Sequence, residues 1–148
     1  MAARTPHLDP TLILLVFVGG MVGTGARYAV STSVAPTGGW PTATFLENLT
    51  GAFLLGLLLE LLVRRGAETA RGRRVRLGLG TGLLGGYTTF STLALEVERL
   101  VVDGQAPLGL AYGLTSVVLG FGAALTGVVL GAHLHRRRAA RHGRGDGS

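Results

Sequence analysis

Four long stretches of mostly apolar residues, separated by short polar segments, dominate the chain. They cover residues 11–35, 43–63, 77–102 and 106–134. A helix needs about 20 mainly apolar residues to cross the ~30 Å hydrocarbon layer of a membrane. Each stretch is long enough, and none has the polar outer face that a helix of a soluble bundle would carry. The pattern predicts an all-α membrane protein, a single domain over residues 1–148 with four transmembrane helices.

The composition agrees with a membrane location. Of the 148 residues, 47% are hydrophobic and 15% are charged, whereas a soluble domain has about 25% charged residues. So apolar a chain would not stay disordered, and an ordinary soluble enzyme is disfavoured. The chain contains no Cys, which excludes disulfides, thiolate metal sites and Cys nucleophiles. No nucleotide-binding motif is present, and we expect no enzymatic activity.

The arginines predict an orientation in the cell membrane. All fourteen basic residues are Arg, and twelve of them lie before the first stretch, between the second and third, or after the fourth. These are Arg4, Arg64, Arg65, Arg71, Arg73, Arg74, Arg76, Arg136, Arg137, Arg138, Arg141 and Arg144. Cytoplasmic loops carry the excess of Arg, so both termini are predicted in the cytoplasm. Residues 135–148 then form a basic cytoplasmic tail that contacts anionic lipid; no nucleic-acid partner is expected, because no aromatic residues accompany the charges.

The third stretch contains a sequence that is unsuited to a continuous helix. Gly85 and Gly86 are followed by Tyr87 and by two β-branched residues, Thr88 and Thr89, and this combination favours helix poorly. A break would free backbone carbonyls at membrane depth, where they need protein, a wet cavity or an ion as partner. Two interpretations stay open: a small cation held by carbonyls, or a kink whose backbone groups are satisfied by Thr hydroxyls.

Neutral hydrogen-bond donors within the stretches favour passage of a small anion. Tyr112 and Ser116 are four residues apart and therefore share one face of a helix. The full set of candidate groups is Asn48, Phe90, Ser91, Thr92, Tyr112 and Ser116. A Phe belongs in this set because the edge of its ring is positive. A proton relay is disfavoured, since it would require Asp, Glu or His at mid-membrane.

Three motifs together resemble the CrcB/Fluc fluoride channels. The first is Gly-Gly-Met-Val-Gly-Thr-Gly-Ala-Arg-Tyr at residues 19–28, and the second is Thr-Phe-Leu-Glu-Asn-Leu-Thr-Gly at residues 44–51. The third and most specific is Gly-Gly-Tyr-Thr-Thr-Phe-Ser-Thr at residues 85–92, followed by Glu96. The similarity extends in order and spacing over about residues 11–134.

This resemblance implies an antiparallel dimer of four-helix subunits, each with its third helix broken in mid-membrane, and two narrow pores that export cytoplasmic fluoride. It implies a structural, non-transported Na⁺ at the dimer interface, held by the main-chain carbonyls of Gly85 and Thr88. It places the six candidate groups above along the fluoride path, Glu96 near a pore end and Arg27 at the end of the first helix. Fluoride, the lipid bilayer and a second subunit are then the expected partners.

Three positions depart from the family pattern. Leu93 stands where a second Phe is usual, Glu47 replaces an apolar residue, and Gly120 replaces a hydroxyl residue. The strong Arg bias also disfavours insertion in both orientations. We therefore hypothesise a heterodimer with an oppositely oriented homologous subunit, with an ordinary dual-orientation homodimer as the alternative.

Two other membrane functions are alternatives to a fluoride channel. A proton-coupled exporter of cationic drugs would carry a Glu in its first span, where this chain has Arg27. A non-transporting assembly subunit would be compatible with the Gly pairs at GxxxG spacing, Gly19 with Gly23 and Gly127 with Gly131, which predict close helix packing.

Overall fold

The computed structural model describes residues 9–142, with side chains as far as residue 137, and every regular element in this part is helical. The elements are α1 (Pro10–Ser33), α2 (Thr42–Val63), α3 (Ala70–Val75), a π-helical segment (Arg76–Leu84), α4 (Gly85–Tyr87), α5 (Phe90–Val102) and α6 (Ala106–His142). The all-α prediction is confirmed. Arg4, residues 143–148 of the predicted tail and the side chains of Arg138 and Arg141 lie outside the described part.

Three of these helices are long and apolar enough to cross a membrane: α1, α2 and the Ala106–Arg137 part of α6. They match three of the predicted stretches, but α6 does not end near residue 134. It continues to His142, because Ala and Arg are good helix formers. The predicted stretch 77–102 differs, since it is divided among the π-helical segment, α4 and α5.

The division of this stretch follows from its glycines and threonines. The N–H of Gly85 donates to the carbonyl oxygen of Gly80, five residues earlier, which is the π-helical pattern. Thr88 and Thr89 are extended, with ψ angles of 155° and 116°, and we call them the Thr88–Thr89 joint. Thr89 also caps α5, because its Oγ1 accepts from the N–H of Thr92 at 3.1 Å.

Glycines bring the helix backbones into contact, as their spacing predicts. A Cβ atom on Gly23 of α1 would overlap the carbonyl oxygen of Leu83 in the π-helical segment. A Cβ atom on Gly127 of α6 would overlap the carbonyl oxygen of Phe53 in α2. Helices in a bilayer associate through such close packing, because burial of apolar surface there provides little driving force.

A small core lies where α5 and α6 meet the loop before α2. Leu93, Leu100 and Tyr112 are buried there, and the ring of Trp40 meets that of Tyr112 edge to face at 5.2 Å. Most other large apolar side chains point outward, such as Phe17 on α1, which is 62% exposed. An outer surface of this kind suits lipid rather than water.

Candidate functional site

Asn48 binds the backbone of the joint with both ends of its side-chain amide. Its Nδ2 donates to the carbonyl oxygen of Thr89 at 3.0 Å, and its Oδ1 accepts from the N–H of Thr89 at 2.8 Å. The extended joint removes both backbone groups from a helix, and buried groups of this kind need partners. The Asn48–Thr89 pair therefore provides hydrogen-bond partners for the backbone groups at the interruption and connects the joint to α2.

The Asn48–Thr89 pair also releases a carbonyl oxygen. In a continuous helix the oxygen of Gly85 would accept from the N–H of Thr89, four residues later, but Asn48 holds that N–H. The oxygen of Thr88 loses the N–H of Thr92 in the same way, to Oγ1 of Thr89. Within the described residues neither oxygen accepts a hydrogen bond.

Free carbonyl oxygens are the ligands that can replace the hydration shell of a monovalent cation. Gly85 is exposed, Thr88 is half-buried, and both line a shallow depression of about 240 Å³. These two oxygens therefore fit the Na⁺ ligands that the resemblance implies.

A groove of about 250 Å³ runs beside the joint, and we call it the Phe90 groove. Phe90 lies there with its side chain 76% exposed. The residues lining the groove are Asn48, Ala52, Thr88, Thr89, Phe90, Leu93, Ser116, Val117, Gly120 and Phe121. Its wall contains Leu93 and Gly120, so the ring and the hydroxyl that the resemblance would place at these two positions are missing, although Phe121 supplies a second ring from α6.

Ser116 lines the Phe90 groove but does not offer it a free hydroxyl proton. Its Oγ donates to the carbonyl oxygen of Tyr112 at 2.7 Å, so its proton is used within α6. Asn48 has two amide protons and gives one of them to Thr89. The second proton of Asn48 is therefore a neutral donor available to this groove.

A second groove, of about 320 Å³, lies on the other side of Thr89, and we call it the Arg27 groove. It is lined by Thr24, Arg27, Tyr28, Ser31, Glu47, Thr89 and Thr92. Oγ1 of Thr89 donates to Oγ1 of Thr92 at 2.9 Å and lies 3.3 Å from the exposed Ser91 hydroxyl. The hydroxyl proton of Thr92 is then left for another acceptor.

Glu47 is the charged group opposite Arg27 in this second groove. Its side chain is 1% exposed, and its Oε1 accepts from Oγ of Ser31 at 2.7 Å. Its Oε2 has no hydrogen-bond partner within the described residues. Burial of a carboxylate is costly unless its charge is compensated, and Arg27 supplies a positive charge to the same groove.

Glu96 and Tyr112 bind each other. Oε2 of Glu96 accepts from the Tyr112 hydroxyl at 2.7 Å, and Oε1 accepts from Oγ1 of Thr44 at 2.8 Å. Tyr112 is fully buried. Thr44 is a partner of Glu96 that was not among the predicted site residues. The sequence indicates it only through its position four residues before Asn48, which places both residues on one face of α2.

Within the single chain described, the predicted site residues lie in two grooves and one buried pair. Asn48, Phe90 and Ser116 share the first groove, Arg27 and Thr92 share the second, and Tyr112 is paired with Glu96. Thr89, which the sequence predicts in the helix break but not among the site residues, lines both grooves and binds Asn48 and Thr92. A Thr just before a helix is a recognisable capping signal.

Comparisons with known proteins agree with this architecture. The family model described as CrcB-like protein, Camphor Resistance (CrcB), matches residues 14–128. The chain is 42% identical over 132 residues to Fluoride-specific ion channel FluC 2 of Leifsonia xyli subsp. xyli, covering 89% of this chain and 91% of that protein. It is 47% identical over 135 residues to FluC 1 of Cutibacterium acnes, covering 89% and 93%.

A third relative extends the range of organisms. Fluoride-specific ion channel FluC of Deinococcus radiodurans is 45% identical over 129 residues, covering 83% of this chain and 97% of that protein. The similarity spans the apolar helices and the joint alike. By the family match and these identities, the chain belongs to the CrcB family of multi-pass membrane proteins, which are ion channels and not enzymes.

Proposed function

We propose that this chain forms a passive, fluoride-specific ion channel that exports cytoplasmic fluoride and so lowers its toxicity. Family membership supports the proposal, since the relatives are named fluoride-specific ion channels. The structural observation that carries it is the Phe90 groove, where an exposed aromatic ring and the Asn48 amide lie beside the joint.

The chemistry of this groove suits fluoride. Fluoride is small and strongly hydrated, so it enters a narrow path only where protein groups replace its water. The amide proton of Asn48 and the positive edge of Phe90 can do so. No charged side chain lines the groove, and a neutral wall releases the anion, whereas a buried cation would retain it.

Export through such a path needs no fuel. A membrane potential of 100 mV, negative inside, favours exit of one anion by about 2.3 kcal/mol. Fluoride that enters as neutral HF and dissociates in the cytoplasm is then driven outward.

A structural Na⁺, not transported, belongs to the proposal. The carbonyl oxygens of Gly85 and Thr88 would hold it at the interface of two antiparallel protomers, each supplying one joint. Bound there, the ion supplies positive potential close to the anion path.

The proposed topology has four spans with the third broken at the joint, in the middle of the bilayer. Residues 77–102 together are long enough to form the third span, although the joint divides them. The Arg distribution favours both termini in the cytoplasm, with α6 leading into the basic tail.

The test is fluoride efflux from liposomes that contain the purified chain, alone and together with a homologous subunit, recorded with a fluoride electrode. We expect passive, chloride-excluding efflux that is larger with the homologous subunit than without it and that falls when Na⁺ is removed from both sides. Efflux that requires a proton gradient would indicate an exporter, and no efflux from a folded, Na⁺-loaded chain with or without a homologous subunit would indicate an assembly protein.

The subunit composition has its own test. The Arg bias favours a heterodimer with an oppositely oriented homologue, and the ordinary homodimer is the alternative. We expect the chain alone to rescue fluoride-sensitive cells poorly and a co-expressed homologue to restore growth. Full rescue by this chain alone would establish the homodimer.

A further inference from the structure

A pocket at the end of α2 plays no part in the proposed anion path. It has a volume of about 400 Å³ and lies between the last turn of α2 and the loop that leads into α3. Its apolar floor consists of Leu59, Leu62 and Val63, and its basic wall of Arg65, Arg71 and Arg76. The chain reverses at Gly66, whose φ of +86° favours glycine.

The charges of this pocket are only partly compensated. Glu68, its acid, accepts from Nε of Arg76 at 2.8 Å and lies 3.5 Å from Nε of Arg73. The hydrogen bond from Arg76 lowers the pKa of Glu68, which keeps it ionised. Arg65 and Arg71 form no ion pair within the described residues, so the wall retains positive charge.

We propose that this pocket binds an anionic phospholipid, with its phosphate on Arg65 and Arg71 and an acyl chain along Leu59, Leu62 and Val63. Guanidinium groups match phosphate oxygens in geometry as well as charge. The pocket begins where an apolar helix ends, with Val63 72% exposed, and basic residues at such a level face lipid headgroups. The apolar floor favours a lipid over free phosphate.

The test is lipid binding to the full chain in neutral detergent, measured by native mass spectrometry. Phosphatidylglycerol is titrated against phosphatidylcholine of the same acyl chains. Arg71→Gln is compared with Arg74→Gln, an exposed arginine of the same short helix that does not line the pocket. We expect a preference for phosphatidylglycerol that falls about fivefold in Arg71→Gln and further in Arg65→Gln/Arg71→Gln, with Arg74→Gln unchanged.

Three results would overturn the proposal. Equal binding of the two lipids to the unaltered chain would show that the pocket does not select an anionic headgroup, independently of any variant. Equal losses in Arg71→Gln and Arg74→Gln would indicate diffuse charge rather than a pocket. Displacement of the lipid by millimolar inorganic phosphate, with no contribution from the acyl chain, would indicate a free-phosphate site. Fluoride efflux is recorded separately, so that failure of the channel function is distinguished from failure of lipid binding.

Discussion

Single side chains hold the interruption between α4 and α5 in place. Two hydrogen bonds between the Asn48 side chain and Thr89, one donated by Asn48 and one accepted by it, replace those that the backbone of Thr89 would make in a helix. Oγ1 of Thr89 then begins the next helix by accepting from Thr92. The geometry of the joint thus depends on one amide and one hydroxyl, both neutral and both short enough to leave little freedom.

Replacement of Asn48 by Ala should destabilise the protein more than any other truncation at the joint. The N–H and carbonyl of Thr89 would lose their partners in a buried place, at a cost of about 2–4 kcal/mol in the free energy of unfolding. Thermal unfolding in detergent measures the effect. Thr126→Ala is the control, since it removes only an exposed hydroxyl bond within α6, and equal losses in the two variants would refute a special role for Asn48.

Glu47→Gln should increase fluoride efflux. The amide keeps an oxygen for Ser31 but removes the negative charge from the Arg27 groove. Arg27 does not line the Phe90 groove, so its positive charge would attract anions toward the proposed path without binding them within it. We expect efflux at least about twofold faster in liposomes. Glu60→Gln serves as the matched control, because Glu60 pairs with Arg64 near the end of α2 and lines neither groove. Unchanged or slower efflux in Glu47→Gln would contradict the expectation.

Phe90→Leu should reduce efflux, because Leu keeps the apolar bulk but lacks a positive ring edge. The expected loss is about threefold to tenfold, measured by the liposome assay at equal protein content. Phe17→Leu on α1 removes a ring of similar exposure that lines neither of the two grooves, and it should leave efflux unchanged. A similar loss in both variants would show that the ring acts through packing.

At the scale of elements, contact between α1 and the π-helical segment depends on glycines, which have no side chain to keep the two backbones apart. Gly19 and Gly23 of α1 face the backbone of residues 78–87, where any Cβ atom would meet main-chain atoms. Backbone atoms cannot rotate away as a flexible side chain can, so the two elements would have to separate.

Gly23→Ala and Gly25→Ala therefore form a matched pair. The added methyl group at Gly23 would overlap Leu83, whereas nothing lies within 4 Å of the corresponding position at Gly25. We expect Gly23→Ala to lower the unfolding temperature and the folded yield, and Gly25→Ala to be neutral or stabilising by up to about 1 kcal/mol. A neutral Gly23→Ala would show that this packing is unimportant.

The sequence predicted the helices better than the hydrogen bonds between them. Apolar length alone predicts α1, α2 and α6, and the Gly-Gly-Tyr-Thr-Thr sequence predicts a break near the observed joint. The identity of Asn48 as the partner of Thr89 could not be predicted, because that pair joins residues 41 positions apart. The pairing of Glu96 with Thr44 and Tyr112 is of the same kind, since it depends on how three helices are arranged.

For the whole molecule, the distribution of arginine leads to a prediction about membrane orientation. If positive charge directs topology, a reporter fused to the C-terminus should report the cytoplasm in nearly all molecules. Substituting Gln for the arginines between α2 and the π-helical segment should produce a mixed population. A reporter divided evenly between both sides in the unaltered chain would instead indicate a protomer that inserts both ways.

The Asn48–Thr89 pair also bears on the order of assembly. Both of its hydrogen bonds and the Thr89–Thr92 bond form within one chain, so the free oxygens of Gly85 and Thr88 do not depend on the proposed second protomer or ion. A receptor whose shape is fixed beforehand loses less freedom when it captures its ligand. In the proposed dimer, each protomer would therefore contribute its half of the cation site already in the binding geometry, and association would only have to align the two halves.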